Sequence, residues 1–310
     1  MSYKLGDTPS ARPSNSELAD FLEVECLQSD DGCFSVTEAA QLMGIIDDES
    51  TPVDEEEETL DAIKSALMFI EDRKVTTRGH YPFMADVSSV KTDTASCSPY
   101  YRSIYTFLLL ATRENMNENR ANNGIDGTVL FEHLCAIIMN NYLGGHCISY
   151  VFGTGDQERP SFLDKLKNML SVFKEKGYSV EDNPLNPNIK DGGIDVVSFV
   201  PFEDTRQGHF IVFSQCKTGT NWISHVSDLQ PSLLDDYISP SLVSKPYIAF
   251  MVSDDYQEND WRTLVRKTQG IVFDRCRLMS YLPDSIDDLL LQDINTWNKA
   301  VLDRYHQQNQ

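Results

Sequence analysis

The chain has no long apolar run. Its unbroken apolar stretches, such as Phe107 to Ala111, are far shorter than the roughly 20 residues a bilayer-spanning helix needs. The opening residues, MSYKLGDTPSARPSNS, contain no apolar signal core. Both absences point to a cytoplasmic chain without membrane contact. The seven cysteines (Cys26, Cys33, Cys97, Cys135, Cys147, Cys216 and Cys276) are odd in number and scattered, and none form a CxxC pair. Reduced thiols are expected, not a disulfide framework or a zinc cluster. No HxxxH or HExxH spacing occurs, so His146, His209 and His225 read as ordinary surface or core residues. Gly153-Thr-Gly155 lacks the Lys-Ser/Thr ending of a phosphate-binding loop, so any nucleotide motor would be a separate chain. There is no internal repeat.

Basic residues are also scarce. Lys and Arg number 26 against 48 Asp and Glu, a net charge of −22. Residues 1 to 90 hold 20 acids and 6 bases, so they carry −14 and the remainder −8. Such a chain binds nucleic acid weakly by itself, because phosphate contacts drive nonspecific affinity. A local groove, a metal ion or a partner that grips the polymer must supply the attraction. The one basic concentration is Arg262, Arg266 and Lys267, followed by Arg275 and Arg277, which reads equally as phosphate contact or surface charge.

What is present centres on Asp191 to Lys217. Val196, Val197, Phe199 and Val200 form one apolar run, Phe210 to Phe213 a second, and residues 203–208 a polar loop between them. This is a β-hairpin pattern. Asp195 begins the first strand; Gln215 and Lys217 end the second, two apart and therefore on one face. A hairpin brings the start of one strand beside the end of the other, so the three converge. A carboxylate, an amide oxygen and an ammonium at one point suit metal-assisted phosphodiester hydrolysis. Asp195 would hold a hard divalent cation, with the Gln215 side chain or the Cys216 backbone carbonyl as a neutral ligand. Lys217 would orient or deprotonate the attacking water, or balance charge in the transition state.

Asp195, Gln215-x-Lys217 and the preceding Gly192-Gly193 resemble the PD-(D/E)xK, or restriction-endonuclease-like, nuclease superfamily, and within it the Mrr-like branch with its D…QxK pattern. The proline usual before the aspartate is replaced by Ile194. The resemblance covers about Gly124 to Phe273. It implies an α/β fold with a mixed central sheet flanked by helices, metal binding by Asp195 and Gln215, and catalysis by Lys217. It also implies a site role for a Glu on the preceding helix, matched by Glu132. The activity implied is Mg²⁺-dependent cleavage of DNA, most often double-stranded, with Mn²⁺ as a substitute, leaving 5′-phosphate and 3′-hydroxyl ends. The cellular role implied is prokaryotic anti-phage or restriction-type defence beside a partner such as an ATPase. Two rivals are an inactive nuclease fold serving as an interaction module and an RNA-cleaving enzyme on the same fold.

Residues 1–15 are expected to be mobile, and 16–120 to form an acidic, mainly helical N-terminal domain. Within it, Ser35-Val-Thr-Glu38 is a capping box, residues 47–58 are an acidic tether, and Leu60, Ile63, Leu67 and Ile70 mark an amphipathic helix. Residues 75–100 carry no clear pattern. The nuclease-like core is placed at 121–282, with turns at 183–188 before the hairpin. An amphipathic helix over 283–310 would dock on the core or on a second copy in a homo-oligomer. His225 could meet a phosphate and Trp222 could stack on a base, although Trp222 more readily fills a core.

Overall fold

Helix starts follow from local chemistry. The Ser14 and Ser35 hydroxyls accept the amides of Glu17 and Glu38, whose carboxylates accept the serine amides in return. These capping boxes open α1 (Asn15–Gln28) and α2 (Val36–Leu42), with strand β1 (Cys33–Ser35) between them. The computed structural model describes residues 3–10, 12–44, 53–153, 162–175, 178–179, 192–236, 238–239, 241–256 and 258–308. The turns expected at 183–188 and positions 47–52 of the acidic tether lie outside the described residues. The rest of that acidic run is not a tether. Helix α3 (Val53–Thr76) starts within it, where carboxylates favour the positive end of the helix dipole.

Residues 75–100 contain a hairpin. Strands β2 (Phe83–Ala85) and β3 (Ser89–Thr92) join β1 in an antiparallel sheet ordered β1-β3-β2. The turn is held by the Asp86 carboxylate, which accepts the Ser88 and Ser89 amides at 2.8 and 2.9 Å. Ser98 caps α4 (Pro99–Arg113), which has proline in its first turn. Residues near the start, expected to be mobile, are packed. Tyr3 is 3% exposed, its amide donates to Glu17, and Leu5 N–H donates to Arg113 O.

After a short hairpin of two-residue strands, β4 (Ala121–Asn122) and β5 (Ile125–Asp126), come α5 (Gly127–Leu143), β6 (Ile148–Val151), α6 (Phe162–Val172) and β7 (Tyr178–Ser179). The expected hairpin is β8 (Val196–Val200) and β9 (Phe210–Lys217). Two 3-10 turns, Trp222–Asp228 and Pro231–Asp236, lead to β10 (Ile238–Ser239), which pairs with β7. Then follow β11 (Tyr247–Val252), α7 (Glu258–Thr268), β12 (Ile271–Phe273), α8 (Arg275–Ser280) and α9 (Asp288–Gln308). The central sheet is ordered β12-β11-β9-β8-β6. β9, β11 and β12 run parallel, while β8 and β6 are antiparallel to their neighbours. This is a mixed α/β fold with a central sheet flanked by helices.

Alternation along the strands feeds two cores. Val196, Val212, Ala249 and Met251 face a cluster shared with α1, α3, α4, α5 and α9. Val197, Phe199, Phe213 and Phe250 face α6, α7 and the 3-10 turns. Burial on both faces explains why these strands read as continuous apolar runs. α9 packs on α4 and α5 through Ile294, Trp297 and Val301. Its Leu289 is exposed.

A buried ionic network crosses the first cluster. Asp20 Oδ1 accepts from Arg73 and Arg275, and Oδ2 from Arg113 and Arg275, at 2.6–2.8 Å. Arg73 also donates to Glu23 and Asp255 at 2.6 and 2.7 Å. Arg275, read in the sequence as a phosphate contact or surface charge, is fully buried here. The three guanidiniums, Arg113 first, overcome the opposing effect of burial and hold the Asp20 carboxyl well below its usual range. Burial raises Glu23 and Asp254.

Asp274, which caps α8 by accepting the Arg277 amide at 3.0 Å, is pushed up to about 7 by burial and then by Asp255. Its folded form therefore binds a proton more tightly than the unfolded chain, and this contribution to stability is lost as pH rises from about 4 to about 7. Asp274→Asn keeps the cap and removes the ionisation. Urea midpoints are expected to rise most at pH 8, where the folded carboxyl is ionised, and least near pH 4, where the loss has barely begun; an equal shift at both pH values would contradict the assignment.

Candidate active site

The site forms where β8 stops pairing with β9. Their last pair is Val196–Ser214. Beyond it, Asp195 N–H donates to Ser214 O at 2.9 Å, and Asp195 O accepts the Phe152 and Gly153 amides at 2.7 and 3.1 Å. The next amide on β9, Cys216 N–H, donates to the Asp195 carboxylate at 2.7 Å. A side chain thus takes the place of a ladder carbonyl and fixes the Asp195 carboxylate at the carboxyl end of β9. β11 runs parallel alongside, with Val252 opposite Lys217. Ligands in open α/β sheets bind beyond such strand ends.

Gln215 lies beside Asp195 and is 1% exposed. Its carbonyl oxygen Oε1 is buried and, among the described residues, has no hydrogen-bond partner, a costly state that a ligand can relieve. Its amide nitrogen comes within 2.9 Å of where a Cβ on Gly193 would stand, and that Cβ would lie 2.5 Å from Asp228 O. With φ +74°, Gly193 lets the backbone after the first 3-10 turn close over Gln215.

Glu132 reaches the same point from α5, its carboxylate over Gly153, 2.9 Å from where a Cβ would be. Burial pushes the Cys216 thiol well above its ordinary value, the adjacent Cys135 thiol raises it more, and the Asp195 and Glu132 carboxylates add to that. Asp195, Glu132 and Cys216 are therefore neighbours, and Cys216 is held as an uncharged thiol. Lys165 of α6, which the sequence did not single out, donates to the Phe152 carbonyl at 3.1 Å and to the Gly153 carbonyl. Its cation is thus anchored on the Phe152–Gly153 backbone that the Glu132 carboxylate covers.

Lys217 projects from the end of β9, with 30% of its side chain exposed and its Nζ 3.9 Å from Asp228 Oδ2. The same oxygen is 3.2 Å from His225 Nδ1. Both lysine and histidine line a polar cavity of about 570 Å³ with Cys216 and Trp222. Trp222 is 2% exposed, donates to the Tyr256 hydroxyl at 2.5 Å and packs on Phe250. It is a core residue, so base stacking on its face is closed off. Arg262, Arg266 and Lys267 are exposed on α7, outside the cavity lining.

The donor types suit a hard divalent cation: the Asp195 and Glu132 carboxylates and a buried amide oxygen that, among the described residues, has no partner all lie at this end of the sheet. Among the described residues, no group of three or more His, Cys, Asp or Glu side chains is placed to hold a metal. The set found here depends on the amide of Gln215. Among the described residues, no helix is long and apolar enough to cross a membrane. No family model, curated protein or solved structure matches the chain.

Proposed function

We propose that the chain is a metal-dependent nuclease of restriction-endonuclease-like fold that hydrolyses phosphodiester bonds in DNA. The observation that carries this reading is the buried Gln215 oxygen, without a partner among the described residues, on the same end of β9 to which the Asp195 carboxylate is fixed. Glu132 and Lys217 lie at the same sheet end. Asp195, Glu132 and the Gln215 oxygen would hold Mg²⁺, or Mn²⁺ in its place, with the Cys216 carbonyl as a further oxygen. When bound, the cation polarises the phosphoryl group and acidifies water. Lys217 Nζ donates hydrogen bonds to the attacking water or to a phosphate oxygen, balancing charge as it develops. Gly193 and the turn at Asp228 keep bulk water from Gln215. Double-stranded DNA, a partner such as an ATPase and a role in anti-phage defence are proposed from the sequence resemblance.

Two substitutions separate binding from chemistry. Gln215→Glu adds a charge at nearly constant volume, and Mg²⁺ is expected to bind about tenfold more tightly, since ligand charge tunes affinity at such sites. Lys217→Met keeps the aliphatic stem and leaves Mg²⁺ binding intact, while plasmid nicking falls about 10²- to 10⁴-fold. Calorimetric Mg²⁺ titration and a nicking assay on both variants provide the check. Normal nicking by Lys217→Met would sink the catalytic role. Absence of Mg²⁺ binding by wild type and Gln215→Glu, with DNA present, would favour an inactive interaction module.

A further inference from the structure

The cavity beside Lys217 is lined by the end of β9 and the loop and 3-10 turn after it, by the segment from α4 to α5 and by Lys4. Lys4 enters it from the first described segment, and Arg120 from the segment between α4 and α5. Lys217 and His225 enter from the β9 side. Four potential cations therefore converge on one polar cavity in a chain of net charge −22. The two acids in its lining are already engaged. Glu114 accepts from the Asn115 amide, Asn119 and Arg304, and Asp228 faces Lys217 and His225. Arg120 pairs through Nε with Asp126 at 3.2 Å, which leaves the far edge of its guanidinium fork for a second anion.

Lys4 is the informative member. Its Nζ donates to the carbonyls of Thr112 and Glu114 at 3.4 and 3.3 Å. Among the described residues, no carboxylate lies within ion-pair distance of it. Three donors are available to an ammonium, and two are used. Nζ stands 3.9 Å from where a Cβ on Gly219 would be, over the loop that follows Lys217. Partial burial and the nearby Arg113 lower its proton affinity, a penalty that an incoming anion would reverse. Threonine and asparagine side chains at 115–117 and 218–221 supply neutral hydrogen-bonding groups around it.

We propose that this cavity binds a backbone phosphate of a nucleic-acid strand, with Lys4 as its principal anion partner and Arg120 as the second. The N-terminal region is then part of the substrate site, not a separate appendage. The inference rests on the nuclease reading for which phosphate is meant: one next to the scissile bond on the strand being cut. A volume of about 570 Å³ holds a nucleotide-sized ligand and not the width of a duplex, so a single strand suffices as ligand.

The test uses the full chain in EDTA and a 3′-fluorescein single-stranded dT8, read by anisotropy between 50 and 200 mM salt. Lys4→Gln and Arg120→Gln are each expected to weaken binding about tenfold, the loss of one charge-assisted contact. Each should also flatten the slope of log affinity against log salt by about 0.7. Lys4→Arg should restore affinity. Asp228→Asn, which removes a competing carboxylate, should tighten binding, a change that damaged folding cannot produce. Wild-type affinity in both Lys4→Gln and Arg120→Gln, or unchanged affinity in Asp228→Asn, overturns the proposal. Plasmid cleavage in Mg²⁺ is read separately. If the cavity variants lose dT8 while wild type never cleaves, the phosphate site stands and the nuclease reading falls. If wild type cleaves while the variants bind dT8 unaltered, the nuclease reading stands and the phosphate site falls.

Discussion

Asp195→Asn is expected to abolish cleavage, by about 10³-fold or more, and to leave the melting temperature near that of wild type. Asp195→Ala should be equally inactive but less stable by about 1–3 kcal/mol, the cost of stranding a buried donor. The difference comes from the 2.7 Å bond that Cys216 N–H donates to the carboxylate. An amide side chain still offers an oxygen to that donor; a methyl group does not. Relief of carboxylate crowding alone would predict unchanged or higher stability for both variants, but the Cys216 amide makes the alanine case the opposite. Plasmid nicking in Mg²⁺ and urea unfolding of both proteins provide the measurement. Activity in either variant would remove Asp195 from the site. Equal stability of the two would mean that the Cys216 bond contributes nothing in solution.

Asp20→Asn is expected to have the largest effect on stability of any single isosteric change, about 3–5 kcal/mol, the range for breaking a buried ion pair. Its carboxylate serves Arg73, Arg113 and Arg275, all fully buried. Removing its charge leaves three guanidiniums against Glu23, Asp254 and Asp255, none of which contacts all three. That is a large part of a typical total of about 5–15 kcal/mol, so purification at reduced temperature is advisable before measuring urea midpoints. The pH dependence runs opposite to that of Asp274. Because the folded carboxyl is held below its usual range, its stabilisation is present above about pH 4 and is lost as pH falls. A loss below about 1 kcal/mol in Asp20→Asn would mean that the network is compensated elsewhere.

The sheet was legible because its strands obey local rules. Tyr247 to Val252 is β11 to the residue, and the hairpin with Asp195 and Gln215-x-Lys217 at one end forms as the spacing requires. Glu132 was singled out by the resemblance and by its apolar neighbours Phe131 and Leu134, which place it at the edge of a buried face. The ionic network was hidden for a physical reason. Asp20 and Glu23 sit on the polar side of the Leu18, Phe21, Leu22 stripe, and amphipathicity alone assigns that side to water. Their partners are 50 to 255 positions away, so no spacing rule connects them. Lys4 stayed hidden because a lysine in a Ser/Pro-rich opening resembles any solvated charge. Its value comes from the Thr112 and Glu114 carbonyls that hold it. The β2–β3 hairpin was not legible because strands of three and four residues leave too little alternation to read.

The buried arginine cluster also bears on how the chain can be made and divided. Asp20 meets Arg275 across 255 positions of sequence, so nearly the whole polypeptide must leave the ribosome before this contact can close. Until then, early segments hold carboxylates and guanidiniums that still need water. Contacts of such long range slow folding, because chain entropy is lost before the contact repays it. A fragment beginning near residue 121 would carry Arg275 without Asp20, and one ending near residue 120 would carry Asp20 with only two of its three cations. Neither half can bury its charges in matched sets. The segment from residue 121 onward and the acidic helices before it are thus one unit of expression, and a library of truncations should be cut at surface loops rather than near residue 120.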